Sequence, residues 1–222
     1  NNYVQYEVVF PILNSGGVYY VPTITSTSGI HILSESSNTI TFEIPGNAYN
    51  QITIIHVSYT PYYALTINAS FGGSVSWSVY YGTAYELSNG VLTQVSSGTV
   101  PQGGTQTLYF ATGGEVQLTD NPASGYTFND WSTSGYAAPA QGYSSRSNPI
   151  VVTCTGGSGS VTAEYQFTYT WTITGLNSGD SATLYVGSNS HTVSNGQTVS
   201  VTFNSPGVSW SASNSNNGAS PH

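Results

Sequence analysis

Short runs of valine, isoleucine, threonine and tyrosine, each cut off by glycine, asparagine, serine or proline, recur along the whole chain. Such side chains fit a pleated surface, while the residues that favour helices are scarce, and methionine and lysine are absent. The runs at 3–10, 18–24, 39–44, 51–59, 64–69, 74–80, 91–95, 105–110, 115–119, 149–154 and 160–174 read as strands. Four more follow at 182–186, 191–194, 198–203 and 208–213. Turn signals such as Asn89-Gly90 and Gly72-Gly73 fall at the spacing of a β-sandwich. The expected class is all-β.

What surrounds those runs is almost uncharged. Arg146 is the one basic residue besides the histidines, and charged residues are 5% of the chain, against a usual share of about 25%. No basic patch exists to neutralise phosphates, which excludes nucleic acid as a partner. The net charge of −8 comes from nine carboxylates. These are mostly protonated at a pH of about 2–3, so acid leaves the surface nearly neutral instead of strongly positive. Such a surface suits an acidic, extracellular setting or a polymer that covers its own sides. Cys154 is alone and lies in a strand-like stretch, which makes it a small buried hydrophobe. A start at Asn1 with no methionine reads as a mature form with its leader removed. No apolar run reaches the roughly 18 residues of a membrane span.

The expected architecture is two β-sandwich-like (immunoglobulin-like) domains with a free N-terminal donor strand. Residues 1–12 form that strand, 13–167 the first domain, and 168–222 a carboxy-terminal domain or a module completed by other strands. Within the first, Pro122, Gly125, Tyr126, Phe128, Trp131 and Ser132 precede a closing Val161-Thr162-Ala163-Glu164-Tyr165. On these residues the stretch 63–167 resembles the extracellular β repeat modules of bacterial and archaeal surface proteins, of Gly-Tyr-x-Phe-x-x-Trp-Ser type. It departs from them in a longer first hairpin and in Tyr165, where phenylalanine is common. The resemblance implies that Tyr126, Phe128 and Trp131 are a structural core cluster. Gly175, Leu176 and Gly179 give the carboxy-terminal part a looser resemblance to β modules of secreted archaeal proteins. Its roughly 45 residues are few for a self-sufficient sandwich.

At the other end Val4, Tyr6, Val8 and Phe10 alternate with Gln5, Glu7 and Val9, giving one wholly apolar face. Pro11 ends the run, and Asn14-Ser15-Gly16-Gly17 reads as linker. Either this strand pairs within its own subunit, or it fills the missing strand of a neighbour. The second arrangement is head-to-tail and makes an open homopolymer of identical subunits. With its β layout and near-absence of Lys and Arg, the chain resembles the thread-type surface filaments of thermoacidophilic archaea. That resemblance implies a glycosylated extracellular subunit for adhesion or biofilm, meeting other cells or surfaces, with no catalysis and no cofactor.

Asn68-Ala69-Ser70 is the one Asn-x-Ser/Thr sequon. It marks Asn68 either as a glycosylation site or as a bare strand residue. Alternatives to assembly are a secreted carbohydrate-binding module, with Tyr and Trp stacking on sugars, and an acid peptidase. The latter needs paired carboxylates, yet Asp120, Asp130 and Asp180 lack an Asp-Thr-Gly setting and Glu43, Glu86, Glu115 and Glu164 lack an evident partner. The histidines His31, His56, His191 and His222 show no zinc spacing, so no metal site is expected.

Overall fold

The structure is a computed structural model and describes residues 2–36, 38–46, 52–204 and 208–214; His222 lies outside these. Every regular element in them is a strand, so the protein is all-β. The elements are β1 (Tyr3–Val9), β2 (Leu13–Ser15), β3 (Val18–Ser28), β4 (His31–Glu35), β5 (Thr39–Pro45) and β6 (Ile54–Ala69) in the amino-terminal part. The central part adds β7 (Gly73–Tyr81), β8 (Ala84–Ser88), β9 (Val91–Val95), β10 (Ser97–Val100), β11 (Thr105–Phe110), β12 (Glu115–Pro122) and β13 (Tyr126–Pro139). Strand β14 (Ile150–Thr172) leads into β15 (Ser181–Val186), β16 (Asn189–Ser194), β17 (Thr198–Phe203) and β18 (Trp210–Asn214).

The N-terminal strand is not free, contrary to the sequence expectation. It forms the edge of a three-stranded sheet ordered β1-β5-β4, antiparallel to β5 with Val4 opposite Ile44, Tyr6 opposite Phe42 and Val8 opposite Ile40. The expected glycine linker is also different. Gly16 (φ 60°) and Gly17 (φ 81°) close a tight turn between β2 and β3, a left-handed conformation that costs glycine little. Only residues 10–12 separate β1 from that hairpin.

Strands β3 and β6 form a long antiparallel ribbon, Tyr19–Ser28 against Ile54–Tyr62. Beyond it, β6 exchanges its neighbour and enters the central sheet, pairing antiparallel with β11 and parallel with β14. Pro61 sits at this exchange, where its missing N–H does least harm. The tyrosine pairs Tyr19–Tyr109 and Tyr62–Tyr85, with ring centroids 4.9 and 5.1 Å apart, fasten the ribbon to the central strands. Burial, and then Tyr85, push the Tyr62 phenol up.

The main core lies wholly within 63–167. Leu65 and Ile67 of β6, Val75 and Trp77 of β7, Leu108 and Phe110 of β11, Val116 and Leu118 of β12, and Val161 and Ala163 of β14 form one dry cluster. Each strand supplies alternate residues, as a two-layered β structure requires. Cys154 belongs to the same cluster and is a buried free thiol.

Candidate functional site

Strand β14 carries aromatic residues out of that core and into the carboxy-terminal unit. There its last part pairs with β17, Phe167 opposite Phe203 and Trp171 opposite Val199. Directly opposed residues of an antiparallel pair share a face. One face of this two-stranded ladder therefore holds Phe167, Tyr169, Trp171, Val199, Val201 and Phe203. Phe167 stacks on Phe203 at 5.2 Å, and Tyr169 lies 5.7 Å from Trp171. The other face is a run of hydroxyl rungs, Thr168–Thr202 at 2.8 Å and Thr170–Ser200 at 2.9 Å.

A second, three-stranded sheet ordered β16-β15-β18 buries Ala182, Leu184, Val186 and Val193. Trp210 is opposite Val186, so it shares their face, yet it is 61% exposed. Between it and the aromatic ladder runs a groove of about 260 Å³, lined by Phe167, Tyr169, Trp171, Phe203, Val208 and Trp210. Tyr169 is also more than half exposed. The groove is walled mainly by aromatic rings and has no charged residue in its lining.

At the amino-terminal sheet, Val4, Tyr6 and Val8 share a face with Ile44, Phe42 and Ile40, and Tyr6 stacks on Phe42 at 5.7 Å. Burial there is one-sided. Ile40 and Phe42 are buried, whereas Val4 and Tyr6 are exposed and Val8 and Phe10 only half-buried. The backbone N–H of Phe10 donates to Asn38 O at 2.7 Å. Val4, Tyr6 and Val8 thus sit on an edge strand that buries them poorly, with Phe10 just beyond its end.

The motif residues lie together. Trp131 is buried and donates from Nε1 to Ser147 O at 2.9 Å. Phe128 packs 5.2 Å from it, and Tyr126 lies 5.7 Å from Phe167. In a regular strand Phe128 and Trp131, three apart, would face opposite ways. A bulge between Phe128 and Asp130 adds one residue and turns both toward the core. Tyr165 is buried and its hydroxyl donates to Ser74 O at 3.1 Å.

Asn68 stands in mid-sheet between β11 and β14. Its Nδ2 donates to Thr162 Oγ1 at 3.2 Å, and its Oδ1 accepts from Thr105 Oγ1 at 2.9 Å. A glycan would attach to the nitrogen that makes the first of these bonds, so the side chain serves here as a bridge across three strands. The carboxylates considered for acid chemistry are dispersed: Glu43 pairs with His31 at 2.9 Å, Gln106 donates to Glu86, and Ser70 donates to Glu164. Among the described residues no group of three His, Cys, Asp or Glu side chains is placed to hold a metal. No helix there is long and apolar enough to cross a membrane.

No protein-family model matches this chain, and no curated protein does either. The groove and the edge strand were half legible in advance. The apolar alternation of β1 and the shortage of carboxy-terminal strands are written in the sequence, whereas the gathering of Trp171, Phe203 and Trp210 around one cleft depends on pairing.

Proposed function

We propose that the protein is the structural subunit of an extracellular cell-surface filament, assembled head-to-tail from identical copies for adhesion or biofilm. Strand β1 of one copy, presenting Val4, Tyr6, Val8 and Phe10, fills the aromatic groove of the next. The observation that supports this most is the groove itself, an open cleft lined by aromatic rings of β14, β17 and β18. The reading is strengthened by an edge strand in the same chain whose apolar face is poorly buried. Insertion adds main-chain hydrogen bonds and removes side chains from water at about 1.5–3 kcal/mol each when burial is complete. Donor and acceptor are different surfaces, so the contact propagates without closing.

Deleting residues 1–10 tests it, with negative-stain microscopy as the readout. The truncated chain stays monomeric, and a peptide of residues 1–12 binds its groove. Fibres from the truncated chain that match those of the intact one would sink the reading. A second reading, a carbohydrate-binding module, draws support from the exposed Tyr169 and Trp210 rings, since sugars stack on such faces. Glycan-array binding that is lost in Trp210→Ala, from a chain that forms no fibres, would favour it.

A further inference from the structure

Strand β12 turns Val116 and Leu118 into the core, and the next inward position is Asp120. It is the single polar or charged residue among the buried ones described, 4% exposed. Neither carboxyl oxygen has a hydrogen-bond partner. Its backbone N–H is satisfied by Asn148 Oδ1 at 3.2 Å, which leaves the side chain alone. Opposite it on β7 is the fully buried Val75.

The groups that face it cannot neutralise a negative charge. From β14 comes Tyr165, whose one hydroxyl proton is already given to Ser74 O. Strand β7 offers Ser74, Val75 and Ser76, none ionisable near neutrality. The segment before β14 offers the Asn148 amide, while Arg146 is exposed and forms no ion pair with it. Glu115 is at an outward position of the same strand, and Glu164 lies on the face of β14 opposite Tyr165, where it holds Ser70. Removing an ionised carboxylate from water without a partner is costly enough that such a group keeps its proton instead.

We propose that Asp120 is held as an uncharged carboxylic acid and makes the central module acid-stabilised, its β7–β12 seam weakening when that proton leaves. Burial pushes the carboxyl above its ordinary 3.8, with a smaller opposing pull from the residue's own nearby backbone N–H, which is itself bonded to Asn148. The neighbouring phenol cannot supply a charge either: burial first, and the Asp120 charge second once that group ionises, push Tyr165 up to about 12. The folded state therefore retains a proton that the unfolded chain releases. Stability is full below the unfolded value, falls as pH rises above about 3.9, and levels off once the folded value is passed.

Denaturant unfolding of the full chain between about pH 3 and about pH 7, beside Asp120→Asn, measures this. The wild-type folding constant falls about tenfold for each pH unit by which the folded value exceeds the unfolded one. The asparagine variant lacks that fall and has the flatter profile. An unchanged slope in the variant overturns the proposal. Should the variant not fold, infrared spectra of wild-type protein carrying 13C-labelled aspartate decide instead. A protonated carboxyl band persisting at about pH 5–6, above the ordinary range of about 3.9, upholds the proposal, and its absence refutes it.

Discussion

The central module and the carboxy-terminal unit share a strand, and along it the same face changes character. Val161, Ala163 and Tyr165 of β14 are buried to 2% exposure or less, whereas Tyr169, four residues beyond Tyr165 and of the same parity, is 59% exposed. The side chains grow larger and turn aromatic as they become wetter. What differs is the company. The buried stretch lies between β13 and β6 and faces the central core cluster, while the later stretch has β17 on one edge and faces the open groove. Burial of a β-strand is conferred by what faces it, and large aromatics left without such cover stay partly in water.

This contrast can be broken at three depths. Phe110→Ala, in the dry core, should cost about 3–5 kcal/mol in denaturant unfolding, the range for a buried phenylalanine. Phe203→Ala, at the groove, should cost about 1–2 kcal/mol because its ring is half-buried. The same substitution should weaken binding of the residue 1–12 peptide at least tenfold, roughly 1.4 kcal/mol, measured by calorimetry. If it unfolds the chain as deeply as Phe110→Ala, the carboxy-terminal unit is as complete as the central one and the contrast fails. Thr170→Val, on the hydroxyl face, should move the unfolding midpoint by no more than about 0.5 kcal/mol, as exposed positions do. A larger loss would show that the hydroxyl ladder, not the aromatic face, holds β14 to β17.

The strand class was legible because each short run carries its own β propensity. The carboxy-terminal strands β15 to β18 fall close to where alternation sets them. Strand β13 was missed, since its two bulges break the alternation that reveals a strand. The separate runs expected at 149–154 and 160–174 are one strand, with Gly156, Gly157 and Gly159 inside β14. A Cβ on Gly157 would run into the Tyr136 ring, and one on Gly159 into Ala137 N. There glycine marks close approach instead of reversal. Asp120 looked like one acid among nine. Its signal was parity with Val116 and Leu118, visible only once β12 is known to present that face inward. The pairing of β1 with β5 was one of two open arrangements, and nothing local to either strand distinguishes them.

The uninterrupted passage of β6 and β14 from one unit into the next has a mechanical meaning. A chain of modules joined by flexible linkers yields at the linkers first, and its modules swing. Here β6 leaves the amino-terminal ribbon and enters the central sheet as one strand, and β14 leaves that sheet and enters the carboxy-terminal ladder as another. Tension directed along such a strand loads its ladder hydrogen bonds together in shear, not one after another as in unzipping. Resistance to stretching should then scale with the number of rungs each strand spans on both sides of a junction, and a turn-forming insertion within β14 should lower it.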